Sequence, residues 1–285
     1  MLGKIKVIWQ YCLPQHFLSR LLGKIANSNH PKLNQWLIRL FIKHFKVNVA
    51  EADPCDPKAY RNFNEFFARK LNSQARPLGH HPSGIIAPAD GTICQIGATS
   101  TFPQLIAKGH HYSVSQLLGD SDSALSKSLA ESEAMTIYLA PSDYHRVHMP
   151  ISGQLIQMTY IPGRLFSVNP TTTKHVKGLF ARNERVVCFF NTEIGPIAIV
   201  LIGAMLVASI KTTWAGTVTP CDSNKITTWH YGINEYSFAK GDEIGQFIYG
   251  STVIALFPKN SIVFGENLNT HQKITMGQLI GTHIS

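Results

Sequence analysis

Residues 194–210, IGPIAIVLIGAMLVASI, run without a single charged side chain, and a stretch of that kind must be removed from water. A helix that crosses a bilayer takes about 18–20 uninterrupted apolar residues. This one falls short, and it carries Pro196 and Gly203 among many Val and Ile. Those residues favour two buried strands joined at a bend. No longer apolar run exists in the chain, which is therefore expected to lie on a membrane, not to span it.

The rest of the body repeats that pattern in shorter pieces. Runs rich in β-branched and aromatic residues fall at 84–87, 92–96, 135–139, 186–190, 197–202, 211–218 and 247–257, separated by Gly, Pro and Asx turns. Helical signals among them are sparse, the best being 115–118 and 123–133. Upstream, Asp56 can cap and Pro57 can open a helix through about Leu71. The chain has 285 residues and 44% hydrophobic content, enough for a sizeable core. The fold class expected is α+β, with N-terminal basic amphipathic helices followed by a β-rich core.

The formal charge of +9 would point to nucleic acid if it were spread over the body, but it is not. Residues 1–50 hold eight Lys/Arg and no acid, whereas residues 51–285 hold 18 basic and 17 acidic side chains. Nucleic acid is accordingly not an expected partner. A helix over 32–46 gathers Lys32, Gln35, Arg39, Lys43 and Lys46 into a narrow polar arc, with Trp36, Leu40, Phe41 and Phe45 among the apolar remainder. A core helix with a wet strip has this pattern, and so does an interfacial helix on anionic lipid. The acid-free stretch upstream, with Phe17, Leu18, Leu21 and Leu22 beside Arg20 and Lys24, favours an anionic membrane surface. The composition break at EADPCDP, residues 51–57, divides a membrane-associating arm, 1–50, from a body, 51–285.

Five cysteines, odd in number and without C-x-x-C spacing, argue against a disulfide framework or a zinc knuckle. The N-terminus makes a poor secretory signal. Three short stretches hold candidate chemistry. PADG, residues 88–91, reads most economically as a tight turn. APSDYHRVHMP, residues 140–150, sets His145 and His148 three apart, a helical spacing, but without a third metal ligand. In IYGSTVIALF, residues 248–257, a glycine interrupts what otherwise reads as one buried strand, and glycine there marks a bulge or a close approach to the backbone. Ser251 lacks the G-x-S-x-G context of an α/β-hydrolase elbow.

Taken together, YRNFNEFFARKL (60–71), PADGTI (88–93), AKGHHYS (107–113), DYHRVHMP (143–150), PGRLFSVNP (162–170), LFARNERV (179–186), TWAGTVTP (213–220) and KGDEIGQFIYGSTV (240–253) resemble the phosphatidylserine decarboxylase proenzymes. The resemblance runs nearly the whole chain, in order. Tyr249 and Ala208 depart from it, standing where Leu or Gly is the commoner choice.

That resemblance implies a pyruvoyl-dependent enzyme that cuts itself between Gly250 and Ser251. The physical chemistry agrees: Ser251 Oγ attacks the preceding carbonyl, and Gly250, without a Cβ, permits the approach. The ester eliminates to dehydroalanine, and hydrolysis leaves a pyruvoyl group on the smaller chain, 251–285, beside the larger one, 1–250. By the same match His148 is the base and Asp90 orients it. The pyruvoyl carbonyl takes phosphatidylserine through a Schiff base, releases CO2 and yields phosphatidylethanolamine. His145 is expected to reprotonate the carbanion, and Ser167 to contact substrate. No metal is expected. The family suggests a homodimer of cleaved units, placed peripherally on the cytoplasmic face of the cell membrane. A membrane-surface serine hydrolase and a non-enzymatic lipid-binding module are the alternatives.

Overall fold

The structure, a computed structural model, describes Gln10 and residues 14–101, 113–120, 123–204, 209–221, 224–248 and 251–284. Gly250, Tyr249 and Ala208 lie outside the described residues.

A nine-stranded antiparallel sheet organises the body. Its path runs through Thr227–His230, Gly153–Ile161, Arg185–Thr192, Gly195–Ile202, Ser251–Pro258, Ser132–Leu139, Gly91–Ala98 and Lys273–Ile274, with Ser237–Phe238 pairing to Gly153–Ile161. Side chains along Ser251–Pro258 alternate between faces, as strand geometry requires. Val253, Ala255 and Phe257 enter one apolar cluster, and Ile254 and Leu256 enter another. Both faces are dry, which is why this strand reads as a continuous apolar run. Burying each of the larger aliphatic side chains contributes about 1.5–3 kcal/mol.

The two faces are covered differently. On the first lie a four-stranded sheet, ordered Gly216–Thr219, Ser209–Thr212, Glu243–Ile248 and Arg146–His148, and a three-stranded one built from Ile262–Phe264, Leu279–His283 and Gly84–Ile86. Short helices, Val114–Leu118 and Leu179–Arg182 among them, pack on the second.

Two N-terminal helices, Gln15–Ala26 and Pro31–Phe45, dock on the body through a third cluster. Ala26, Ile38 and Val47 meet Tyr60, Phe63, Phe66 and Phe67 there, and Phe41 stands edge-on to Phe63, Phe66 and Phe67. The arm thus shares its core with the first residues of the body. Its outer face stays apolar: Phe17 is 65% exposed and Trp36 60%, with Leu21, Leu22, Ile25, Leu33, Leu40 and Phe45 also exposed. No helix among the described residues is long and apolar enough to cross a membrane.

The run 194–210 does form two strands, Gly195–Ile202 and Ser209–Thr212, but in different sheets. Several expectations need correction. The helix read over 57–71 is a 3-10 turn at Pro57–Ala59, a helix only at Phe63–Phe67, and then a strand at Lys70–Leu71. Asp56 caps the first of these and Asn62 the second. The run 211–218 is two strands, split at residues 213–215. The helical signal at 123–133 ends at Ser128, and Ser132 already begins a strand. The long strand Gly153–Ile161, with Gln154, Gln157 and Thr159 in it, was too polar to register. Residues 247–257 are not one strand: Glu243–Ile248 and Ser251–Pro258 belong to separate sheets, so Ile248 and Ser251 stand on either side of a change of sheet.

Candidate active site

That change of sheet fixes where the site is. Ser251 opens the central strand opposite Leu139, the last residue of its neighbour. It is fully buried, and its Oγ has no hydrogen-bond partner among the described residues. A buried hydroxyl left unpaired costs free energy. Thr252 Oγ1, next in the strand, and Ser209 Oγ, across from Ile248, are likewise unpaired.

Immediately after Leu139 the chain turns back on itself. Asp143 Oδ2 accepts from the Ala140 N–H at 2.7 Å, and the same carboxylate pairs with Lys273 at 3.0 Å. The turn delivers His145, which holds both sides of the sheet change. Its carbonyl accepts from the Phe247 N–H at 2.9 Å, and its Nε2 stands 3.1 Å from the Ala140 carbonyl. A carbonyl only accepts, so Nε2 carries the proton and Nδ1 is a bare acceptor. Nδ1 has no partner. The ring stacks on Phe67 and is fully buried. Burial, followed by the nearby Arg69 charge, pushes its pKa down to about 3. At rest His145 is a neutral base, and to act as an acid it must first acquire a proton.

His148 sits in the strand Arg146–His148, so the helical spacing read from sequence is in fact a turn followed by a strand. Its Nδ1 donates to the Gly241 carbonyl at 2.8 Å, and its Nε2 accepts from the Tyr144 hydroxyl at 3.0 Å. Burial lowers its pKa, with Gly241 opposing. Asp90 does not touch it. The Asp90 carboxylate takes the Arg76 guanidinium, with Nε at 2.9 Å, and the Met276 N–H at 2.8 Å. Arg76 also bonds Glu51 at 3.0 Å. The expected carboxylate–imidazole contact is therefore absent, and Asp90 acts on His148 only through its field. PADG is no hairpin turn either, since it links the strand Gly84–Ile86 of one sheet to Gly91–Ala98 of another. Gly91 is obligatory there: a Cβ would strike the Tyr138 carbonyl.

Ser167 stands apart. Its hydroxyl accepts from Asn169 and its N–H donates to Gln10 of the arm, and none of its hydrogen bonds reaches Ser251, His145 or His148. No cluster of metal-ligating side chains exists among the described residues. Sequence reasoning missed Tyr144, Phe67, Arg69 and Arg76, though the first three lie inside quoted motifs.

A cleft of about 780 Å³ reaches this region from the arm, lined by Phe17, Leu21, Lys24, Arg61, Lys211 and Ile248, among others. Its lining mixes apolar side chains with the cations Lys24, Arg61, Arg146 and Lys211 and the acid Glu65, and it includes Ile248, the last described residue before Ser251. A second, apolar groove of about 420 Å³ lies among Leu22, Ile25, Leu37, Leu40, Phe41 and Phe45.

Residues 63–282 match the family model described as Phosphatidylserine decarboxylase, and residues 5–46 match one described as PSD. The chain is 48% identical over 281 residues to the phosphatidylserine decarboxylase proenzyme of Shewanella putrefaciens, covering 97% of each chain. It is equally similar to the proenzyme of Shewanella baltica, covering 97% of this chain and 96% of the relative.

Proposed function

The chain belongs to the phosphatidylserine decarboxylase family, and we propose that its activity is generated at Ser251 by self-cleavage after Gly250. It is a carboxy-lyase that converts phosphatidylserine to phosphatidylethanolamine and CO2. The observation that carries the proposal is the Ser251 hydroxyl, fully buried and unpaired at the sheet change. A serine whose Oγ has been consumed leaves no such orphan. Elimination leaves a methyl group where the hydroxyl was, which suits a fully buried position without a polar partner, so the residues present fit a pyruvoyl group.

In this reading the Ser251 proton goes to His148. Tyr144 occupies the accepting Nε2 and must yield it to the serine hydroxyl. Gly241 fixes the tautomer that leaves Nε2 free to accept. Asp90, clamped by Arg76, steadies by its charge the imidazolium that forms. The cut need not separate the fragments, because Ser251–Pro258 is paired on both sides and Leu279–His283 is built into the three-stranded sheet.

When formed, the pyruvoyl group supplies a ketone carbonyl that takes up the substrate amine and withdraws the electron pair that CO2 leaves behind. His145 takes a proton at Nδ1 and returns it to the substrate Cα. Its burial against Phe67 makes the protonated ring a strong acid, suited to giving that proton up.

The arm lies on an anionic bilayer, its exposed Phe17, Leu21, Trp36 and Leu40 in the acyl boundary and Lys24, Lys32, Arg39 and Lys43 at the headgroups. The cleft then leads the head group from the surface to Ser251. We place the protein at the cytoplasmic face, as a homodimer of cleaved units. The hydrolase alternative gains no support, since Ser251 begins a strand and not a strand-to-helix elbow, and the inert lipid-binding module gains none from a family of decarboxylases. Incubation with phosphatidylserine vesicles tests the proposal. The protein accumulates phosphatidylethanolamine and the Ser251→Ala variant does not; equal turnover by the variant overturns it.

A further inference from the structure

Arg69 is only 4% exposed, yet no carboxylate among the described residues forms an ion pair with it. One of its nitrogens, Nη2, donates to the Ser142 carbonyl at 3.1 Å, and its guanidinium carbon lies 5.5 Å from the centre of the Phe66 ring. Nε and Nη1 have no hydrogen-bond partner among the described residues. A buried cation in this state has no bonded counter-charge, Asp90 and Glu51 acting on it only through their fields, and its held carbonyl belongs to the turn that carries His145. Arg69 grips Ser142 while His145 grips Ala140 in the same turn. Phe67, two residues earlier, stacks on His145, and the Arg69 charge is the next influence on that ring after burial. The preceding residue, Ala68, lines the cationic cleft and has its carbonyl held by Arg146 at 2.9 and 3.0 Å.

The donors left open, Nε and Nη1, lie on opposite edges of the planar group and form no fork, so each offers one oxygen of an anion a single charge-assisted hydrogen bond. The substrate brings two anions to the site, a carboxylate and a phosphodiester. The carboxylate loses its charge as CO2 departs, so a guanidinium bound to it would stabilise the reactant more than the transition state and slow the reaction. The phosphodiester keeps its charge throughout. We propose that Arg69 holds the phosphodiester of the lipid head group and so sets its register at Ser251. This inference rests on the proposed substrate and cleavage.

Arg69→Gln and Arg69→Lys, assayed with short-chain phosphatidylserine and with short-chain phosphatidylethanolamine as competitor, test it. A denaturing gel reads self-cleavage in parallel. Both variants are expected to cleave. Arg69→Gln should raise KM by about tenfold or more, the scale of one charge-assisted hydrogen bond, and weaken the competitor by the same factor, with kcat changed little. Arg69→Lys should recover part of the loss. An unchanged KM overturns the proposal. So does a loss confined to phosphatidylserine, which would assign Arg69 to the carboxylate, and so does a failure of both variants to cleave, which would assign it to processing. Uncleaved, inactive wild-type protein would instead refute the proposed function.

Discussion

His145 lies against Phe67 with ring centroids 4.2 Å apart and 28° between their planes. The contact joins the turn that follows the strand Ser132–Leu139 to the helix Phe63–Phe67, on which the N-terminal arm is docked. One aromatic face therefore links the arm to the residues beside Ser251, and it keeps the imidazole dry.

A dry imidazole makes stability fall with acid. Unfolded, the ring takes a proton below about pH 6.5, whereas folded His145 stays neutral down to about 3. Between those limits the unfolded state binds the extra proton, so stability drops by about 1.4 kcal/mol for each unit of pH lost. Above that window the effect vanishes. His148, also lowered, acts in the same direction. Urea midpoints at pH 7.5 and 5 should differ more for the native protein than for His145→Gln.

Ser251→Ala should abolish self-cleavage without loss of stability. The hydroxyl it removes has no partner, so no hydrogen bond is lost and a buried unpaired group disappears. Thermal unfolding of the uncut variant, set beside that of an uncut His148→Ala protein, checks this.

Arg76 should matter to processing though it lies outside every motif quoted above. Without it the Asp90 carboxylate, 6% exposed, keeps only the Met276 N–H and loses the clamp that fixes its position. Arg76→Gln and Asp90→Asn should each slow self-cleavage about tenfold or more, and the double variant should be no slower than either alone. A time course on denaturing gels reads all three.

Replacing Trp36 and Leu40 together with Ser should weaken binding to anionic vesicles by about tenfold or more, with self-cleavage untouched. Charge-reversing Lys32 and Lys43 should act through salt-sensitive binding, each cation contributing about 1 kcal/mol near the surface. Vesicle co-sedimentation at two salt concentrations separates the two effects.

What could be read in the sequence was whatever period or motif makes local. The dry strands announced themselves because Val253 to Phe257 are apolar on both faces, and the arm because its charge is one-sided. The strand Gly153–Ile161 did not, because its polar residues broke the period. Ser251, His145, His148 and Asp90 were legible as residues, but their contacts were not. Arg76 captures Asp90 from fourteen positions away, and Gly241 reaches His148 across 93. Such pairings depend on how sheets stack, which no local pattern encodes.

The most direct test is intact-mass analysis of the purified, denatured protein. The account predicts two species, residues 1–250 with an ordinary C-terminus and residues 251–285 blocked to N-terminal sequencing by a pyruvoyl group. A single full-length mass in active protein, or a small fragment beginning with a free serine amine, would contradict it.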